Sequence, residues 1–455
     1  MPLTFPPNGP IWSMADDLIA ERQSATHLVE ECLTRIADKN GEGKRAFLKV
    51  HSDAALALAN TADRLRAAGA PLPRFAGIPI SVKDLFDIAG DVTTAGSRVL
   101  SNATPAQQDC PPVQRLRAAG FIVVGRTNMT EFAYSGLGLN PHYGTPHNAW
   151  QRQAGRVPGG SSSGAAVSIT DGMAIAALGT DTGGSCRIPA AFSGIVGWKP
   201  TARRVPLDGA VPLSFSLDSV GCMASAVDDC AIIDSIIAGA WPEAPIEPVA
   251  LSRLTFAVPD QVVLDNVDKD VADSFARALS ILSRQGITVE TISVPEIGEI
   301  ATMSAKGGFP ASEAYAWHRD LLAERGDQYD QRVRVRIQRG AGQDAADYIN
   351  LVKARADATR RLRRKITGID ALIMPTAPTI APLISELERD EDFAVQNILA
   401  LRNPTIANFF DMCSISLPIH EPGSAPVGLM LIGNHMADKH LMQIGKTIEC
   451  MFPRN

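Results

Sequence analysis

Two glycine-serine boxes flank a short apolar segment and constrain the path of this chain more than any other feature. They are VPGGSSSGAA at residues 157–166 and GTDTGGSCRIPAA at residues 179–191. Paired glycines mark sharp turns at both places. The run between them, AAVSITDGMAIAAL at 165–178, reads as a helix. A helix of about 15 residues rises about 22 Å, and six extended steps from Gly179 to Ser185 return about 20 Å. The chain is therefore expected to double back and bring Ser185 beside Ser161.

The rest of the 455-residue chain alternates helical and strand-like runs. Residues 11–70 read as helical, and 53–69 carry apolar residues at helical spacing before a glycine stop. In PRFAGIPISVKDLFDIAG, at 73–90, Ile78, Ile80 and Val82 alternate with Pro79, Ser81 and Lys83. This pattern predicts a half-buried strand with Ser81 and Lys83 on one face. GFIVVGRTN at 120–128 reads as a fully buried strand, and further strands are expected at 254–260, 371–378, 413–419 and 427–433. Strands and helices that alternate over the whole length imply an α/β layer structure. Residues 301–346 are polar and punctuated by glycine, yet carry Phe309, Tyr315 and Trp317, which predicts a surface excursion beside a pocket.

Composition excludes several classes of function. The net charge is −6, and the one basic cluster, residues 360–365, reads as a solvated helix face, so nucleic acid is not an expected partner. Seven scattered cysteines without a C-x-x-C pair suggest reduced thiols. The N-terminal stretch lacks the pattern of a leader peptide and no run of about 18 apolar residues occurs, so a cytoplasmic protein without a membrane span is expected. The eight histidines show no metal-binding spacing, and neither a metal nor a cofactor is expected.

Three serines compete for chemistry in the first box. Gly160-Ser161-Ser162-Ser163-Gly164 fits the G-x-S-x-G elbow that would make Ser162 an esterase nucleophile, but the elbow needs a hydrophobic strand running into it. The preceding QRQAGRVP is polar and ends in Pro158, which disfavours a central strand. A cysteine-dependent amidase built on Cys186 would need an ordered Glu and Lys constellation, and no such motif is present.

The segments GIPISVKD at 77–84, VPGGSSSGAA and GTDTGGSCRIPAAFSGIVGWKP at 179–200 resemble the three core motifs of the amidase signature family. The likeness is close over residues 76–221 and looser as far as VGLMLIG at 427–433. Ser163 stands where the family usually has glycine. The resemblance implies a large mixed twisted sheet covered by helices on both faces, folded as a single domain over 1–455. It also implies hydrolysis of a carbon-nitrogen amide bond, with Ser185 as nucleophile, Ser161 as bridging serine after a cis peptide at Gly160, Lys83 as base and Ser162 in support.

These residue types suit that chemistry. A lysine serves as a base only when neutral, so its ordinary pKa near 10.4 must fall by about three units, about 4 kcal/mol, which burial without a matched carboxylate can supply. Asp84, next along the strand, is expected on the opposite face. In Thr182-Gly183-Gly184-Ser185 the glycines let successive N–H groups converge on a tetrahedral oxyanion. Asp181 and Arg187 read as a supporting ion pair or network.

The expected substrate is a small-molecule amide, and a homodimer is compatible with these features. Met129, Phe132 and Tyr134, with Phe309, Tyr315 and Trp317 of the excursion, are candidate pocket residues favouring an apolar group. Three other functions fit the same motifs: a carbamate, urea or ester hydrolase, the glutaminase subunit of a tRNA-dependent amidotransferase, and a binding protein without activity.

Overall fold

The apolar runs at 254–260, 371–378 and 427–433 form strands whose successive side chains enter two different cores. Phe256, Val258, Ile373, Leu429 and Leu431 join one cluster, while Ala257, Leu372, Met374, Met430 and Ile432 join another. Because side chains alternate across a strand, this division places a buried core on each face of the sheet. The first core is closed by Lys269–Arg284, through Val271, Phe275 and Leu282, and by Asp438–Glu449, through Leu441, Ile444 and Ile448. The second is closed by Ala345–Lys365 through Leu351, Ala358 and Leu362.

A computed structural model of the chain describes residues 10–452; the first nine residues, part of the stretch read for a leader, lie outside the described residues. Its strands are β1 (Phe47–Val50), β2 (Pro79–Lys83), β3 (Ile122–Thr127), β4 (Ala176–Asp181), β5 (Val196–Lys199), β6 (Ser219–Ala224), β7 (Thr255–Pro259), β8 (Thr288–Ile292), β9 (Ala371–Pro375), β10 (Cys413–Pro418) and β11 (Gly428–Gly433). They make one eleven-stranded sheet in the order β1-β3-β2-β4-β6-β5-β10-β11-β9-β7-β8. The pairs β3-β2, β2-β4, β9-β7 and β7-β8 are parallel and the rest antiparallel, so the sheet is mixed and the fold is α/β. Among the described residues, no helix is long and apolar enough to cross a membrane.

Three expectations are corrected here. β2 is buried on both faces rather than half-buried, because its polar side chains find partners in the protein instead of water. Ser81 Oγ, for example, lies 2.9 Å from Ser168 Oγ on the overlying helix. The helix expected over 165–178 is only Ser163–Thr170; it stops at Asp171 and Gly172, whose φ of +65° is a left-handed turn, and the chain then enters β4. The return to Ser185 therefore runs largely along a strand. Finally, residues 301–346 are packed helices rather than a loose excursion: Gly308–Arg325 and Gln331–Gln338 bury Phe309, Ala314, His318, Val333 and Ile337. The basic cluster ends a helix on which Arg361 pairs with Glu296, Glu299 and Asp357.

The turn after β2 is pinned by a buried ion pair. Asp84 Oδ1 accepts from Arg126 Nε at 2.7 Å, its main-chain oxygen accepts from Arg126 Nη2 at 2.9 Å, and Oδ2 accepts from Gly96 N at 3.0 Å. Removing Asp84 leaves the buried Arg126 charge with no hydrogen-bonded carboxylate among the described residues, Asp91 lying 3.8 Å from Nη1. Asp84→Ala is therefore expected to destabilise the fold by about 3–5 kcal/mol, seen as a lower midpoint in urea unfolding. An unchanged midpoint would show that the pair contributes nothing net.

Candidate active site

Lys83 ends β2 between β3 and β4, and its side chain is fully buried. Nζ donates to Ser161 Oγ at 2.7 Å and to Thr180 Oγ1 at 3.0 Å. Burial pulls its pKa down to about 8, against the opposing pull of the Cys186, Asp181 and Asp218 side chains. Among the described residues it has no carboxylate partner, because Asp84 is held by Arg126 and Asp181 by Arg187.

Ser161 sits in the turn before the helix Ser163–Thr170, with the Gly160–Ser161 peptide cis. Its main-chain oxygen accepts from Thr130 N at 3.0 Å, and Gly160 N donates to Gly136 O at 2.8 Å. Glycine is required at 160, since a Cβ there would lie 2.5 Å from Gly138 N. The two boxes meet across Gly179 of β4, where a Cβ would lie 3.1 Å from both Ser162 Oγ and Cys186 Sγ. Ser162 and Cys186 directly follow the two candidate catalytic serines. Ser162 Oγ is buried and, among the described residues, has no hydrogen-bond partner, so any support that Ser162 gives comes through its packing on Gly179.

Asp181 organises the loop that carries Ser185. Oδ1 accepts from Gly184 N at 2.8 Å and Oδ2 from Cys186 N at 3.1 Å, while Arg187 holds both oxygens, through Nη2 at 2.8 Å and Nε at 3.0 Å. Although burial alone would raise the Asp181 pKa, the Arg187 guanidinium and the hydrogen bond from Asn408 hold it well below the usual carboxylate range. The four-donor oxyanion loop expected from the sequence is thereby reduced, since the Gly184 N–H is committed to Asp181. The N–H groups of Thr182, Gly183 and Ser185 make no hydrogen bond among the described residues.

Ser185 is 3% exposed and opens onto a cavity of about 260 Å³. Its walls include Leu217, Ile300, Phe309, Leu401 and Phe409, and polar residues among them include Tyr134, Ser135, Ser304, Arg336, Asn397 and Thr405. A second cavity of about 290 Å³ shares Ala133, Thr182 and Leu213 with it and reaches Thr180 and Asp218. Asp218 accepts from Thr182 Oγ1 and from Leu213 N and Ser214 N; burial raises its pKa to about 6 despite those bonds.

Of the candidate pocket residues, Tyr134 and Phe309 line the cavity beside Ser185. Met129, Phe132, Tyr315 and Trp317 do not line it, and that expectation is corrected. Phe132, Trp317 and Tyr329 pack around His318, with ring centroids 4.3, 4.5 and 5.7 Å from it, because a buried neutral imidazole is a good aromatic neighbour. Met129 is buried, and Tyr315 packs on the main core beside Gly340. Sequence reasoning missed Thr180, Asp218, Arg336 and Asn397. Thr180 and Asp218 could have been found from a strand-like reading of AALGTD and from the short polar segment before β6; the other two carry no local signal.

Cys186 is fully buried, and burial pushes its thiol pKa up, with Asp181 adding to the effect. Cys450 is the one exposed cysteine of the seven, all of which are free. Iodoacetamide on the folded protein at pH 8 is expected to modify Cys450 alone, as read by peptide mass mapping. Alkylation of Cys186 in the folded state would contradict its buried, protonated state.

A sequence model of the family described as Amidase matches residues 27–442. The 2-amino-5-chloromuconic acid deaminase of Comamonas testosteroni is 35% identical over 393 residues, covering 86% of this chain and 84% of the deaminase. The glutamyl-tRNA(Gln) amidotransferase A-subunit of Symbiobacterium thermophilum is 34% identical over 462 residues, covering 94% of this chain and 93% of that relative. A crystal structure of an amidase superposes with a TM-score of 0.86 at 30% identity, covering 97% of this chain and 100% of that one.

Proposed function

The chain belongs to the amidase family and is an amide-hydrolysing enzyme, and we propose that Ser185 is its nucleophile, Ser161 its proton relay and Lys83 its base. The observation that carries this reading is the 2.7 Å hydrogen bond from a fully buried lysine to Ser161 Oγ. A hydroxyl both gives and takes a proton, so Ser161 can pass the Ser185 proton to neutral Lys83 while Ser185 Oγ bonds to the amide carbon. The carbonyl oxygen gains the negative charge and is met by the N–H groups of Thr182, Gly183 and Ser185. When the carbon-nitrogen bond breaks, the proton returns through Ser161 to the leaving nitrogen, and ammonia or an amine departs. Water then attacks the acyl ester by the same route, releasing the acid and restoring Ser185.

Among the described residues no hydrogen bond joins Ser161 Oγ to Ser185 Oγ, and bound substrate is what draws such relays into line. We take the substrate to be a small-molecule amide, which the cavity of about 260 Å³ supports, and the chain to act as one domain spanning its single sheet. Seven free cysteines, six of them buried, support a reducing, cytoplasmic setting. Carbamates, ureas and esters would follow the same steps. The glutaminase reading draws on the likeness to the amidotransferase component over 94% of the chain.

Ser185→Ala is expected to lower kcat by about 10³-fold or more and to abolish labelling by a fluorophosphonate. A label that persists in that variant sinks the assignment. The base form of Lys83 grows as pH rises through its pKa of about 8. Below that pH, kcat/KM should fall about tenfold per unit. A profile that stays flat from pH 6 to 9, or a Lys83→Ala variant with normal turnover at pH 7, would remove Lys83 from the relay.

A further inference from the structure

The basic cluster at 360–365 is divided by the helix that carries it. Arg361 and Lys365 turn to Glu296, whereas Arg360 and Arg363 line a groove of about 390 Å³ on another face of Ala345–Lys365. The helical period sets Val352, Ala356, Thr359 and Arg363 on one stripe, with Arg355 and Arg360 flanking it on opposite sides. Arg203 reaches the groove from the turn after β5. Of the whole lining, Phe309 alone is shared with the cavity beside Ser185.

Four arginines therefore face one groove on a chain whose net charge is −6. Asp411, the one acid in the lining among the described residues, is held by Arg203 Nη2 at 2.8 Å and Ala202 N at 3.1 Å. Arg360 Nη2 pairs with Asp357 at 2.8 Å. Arg355 and Arg363 form no ion pair among the described residues, so both of their charges stay uncompensated. Arg355 is the costlier of the two because it is partly buried. Its Nε donates to Phe409 O at 2.6 Å and its Nη2 to Asn408 O at 3.3 Å, the guanidinium lies 5.2 Å from the Phe309 ring centroid, and Nη1 has no acceptor among the described residues. Burial and the Arg203 charge hold its pKa below the ordinary guanidinium value in spite of Asp411. Like charges gathered at a partly dry surface cost free energy, and an anion of matching charge relieves that cost.

We propose that this groove binds a small molecule that carries a phosphate monoester on an apolar group. Such an ester brings about two negative charges and three acceptor oxygens, and guanidinium forks match those oxygens in pairs. Val352, which is 44% exposed, and Ala356 lie along the stripe on the side away from Arg363 and suit the attached apolar group. The volume is that of a small-molecule site. Lys83, Ser161 and Ser185 do not line the groove, so a ligand held there is separate from the substrate and does not depend on the reading of Ser185 as nucleophile.

Calorimetry at pH 8 and low salt, with phenyl phosphate, phenyl sulfate, inorganic phosphate and phenol, reads the charge and the apolar group separately. Phenyl phosphate is expected to bind about tenfold or more tighter than phenyl sulfate, which has the same shape and one charge fewer. It should also bind tighter than inorganic phosphate, which lacks the ring, and phenol should not bind. Arg363→Gln changes an exposed side chain, and Arg355→Lys keeps the charge but loses the fork. Each should weaken phenyl phosphate by about tenfold, with the urea midpoint of each variant checked against the parent so that Arg363→Gln decides if Arg355→Lys fails to fold. Arg336→Gln, in the cavity beside Ser185, should leave the binding unchanged. No binding of phenyl phosphate, or sulfate binding as tightly as phosphate, overturns the proposal. Binding that survives Arg363→Gln, or that is lost with Arg336→Gln instead, places the ligand elsewhere and overturns it too. If polyglutamate or vesicles containing phosphatidic acid bind through Arg363 while phenyl phosphate does not, the groove serves an acidic protein or a membrane and the proposal falls.

Discussion

The site depends on burying a lysine side chain without giving it a carboxylate. Lys83 is enclosed by the sheet and by the helix that follows Ser161, and Ser161 Oγ and Thr180 Oγ1 are its hydrogen-bonding partners. A buried ammonium that lacks a counter-ion is costly, and the cheaper outcome is to release the proton, which is why its pKa falls to about 8. The nearest acids would defeat this by pairing with it. The fold forestalls that by engaging each elsewhere: Asp84 holds Arg126 at 2.7 Å, Asp181 holds Arg187 at 2.8 Å, and Asp218 accepts from Thr182 Oγ1, Leu213 N and Ser214 N. Each of these arginines is buried, so the two ion pairs are structural in effect and electrostatic in purpose.

Asp181 has a second task that follows from the first. With its charge secured by Arg187, its oxygens still accept the N–H groups of Gly184 and Cys186. Those bonds curl the chain around Ser185 and leave the N–H groups of Thr182, Gly183 and Ser185 without internal acceptors. Asp218 holds the same loop from the other side through Thr182 Oγ1, and its oxygens also gather Leu213 and Ser214 N–H. Ser214 Oγ in turn donates to Glu313 on the helix Gly308–Arg325. The loop that carries Ser185, the cavity wall and that helix are therefore one hydrogen-bonded body.

Of the candidate site, the meeting of the Lys83 strand with the two glycine-serine boxes was legible in the sequence, because glycine pairs and an alternating strand are local signals. The α/β class was legible for a related reason, since apolar runs such as those of β9 and β11 are continuous. The first half of β4 was not, because Ala176, Ala177 and Leu178 continue an alanine-rich run that reads as helix. Small residues are needed there by packing: the strand runs between two neighbours with both glycine-serine boxes pressed onto Gly179. The cavity was legible only in part. Aromatics at 132, 315 and 317 signal burial, and whether a buried ring faces a cavity or His318 is decided by chain segments far away. Arg336 and Asn397 come from separate helices and meet at Tyr134–Gly136, a juxtaposition that no local pattern encodes.

A comparison within the molecule shows why a perturbed lysine alone does not identify a site. Lys199 on β5 is as fully buried as Lys83, and burial, aided by Arg187, also pulls its pKa down to about 8. Its Nζ donates to Pro200 O at 2.7 Å and to Met412 O at 2.9 Å. Main-chain carbonyls accept hydrogen bonds but have no proton to give, so whatever proton Lys199 gains or loses has no onward path through them. They fix its nitrogen as a brace between β5 and the start of β10. Lys83 has the same depth and the same shift, but its partners are hydroxyls, each at once donor and acceptor. What sets Lys83 apart from Lys199 is the chemistry of the atoms that each lysine touches.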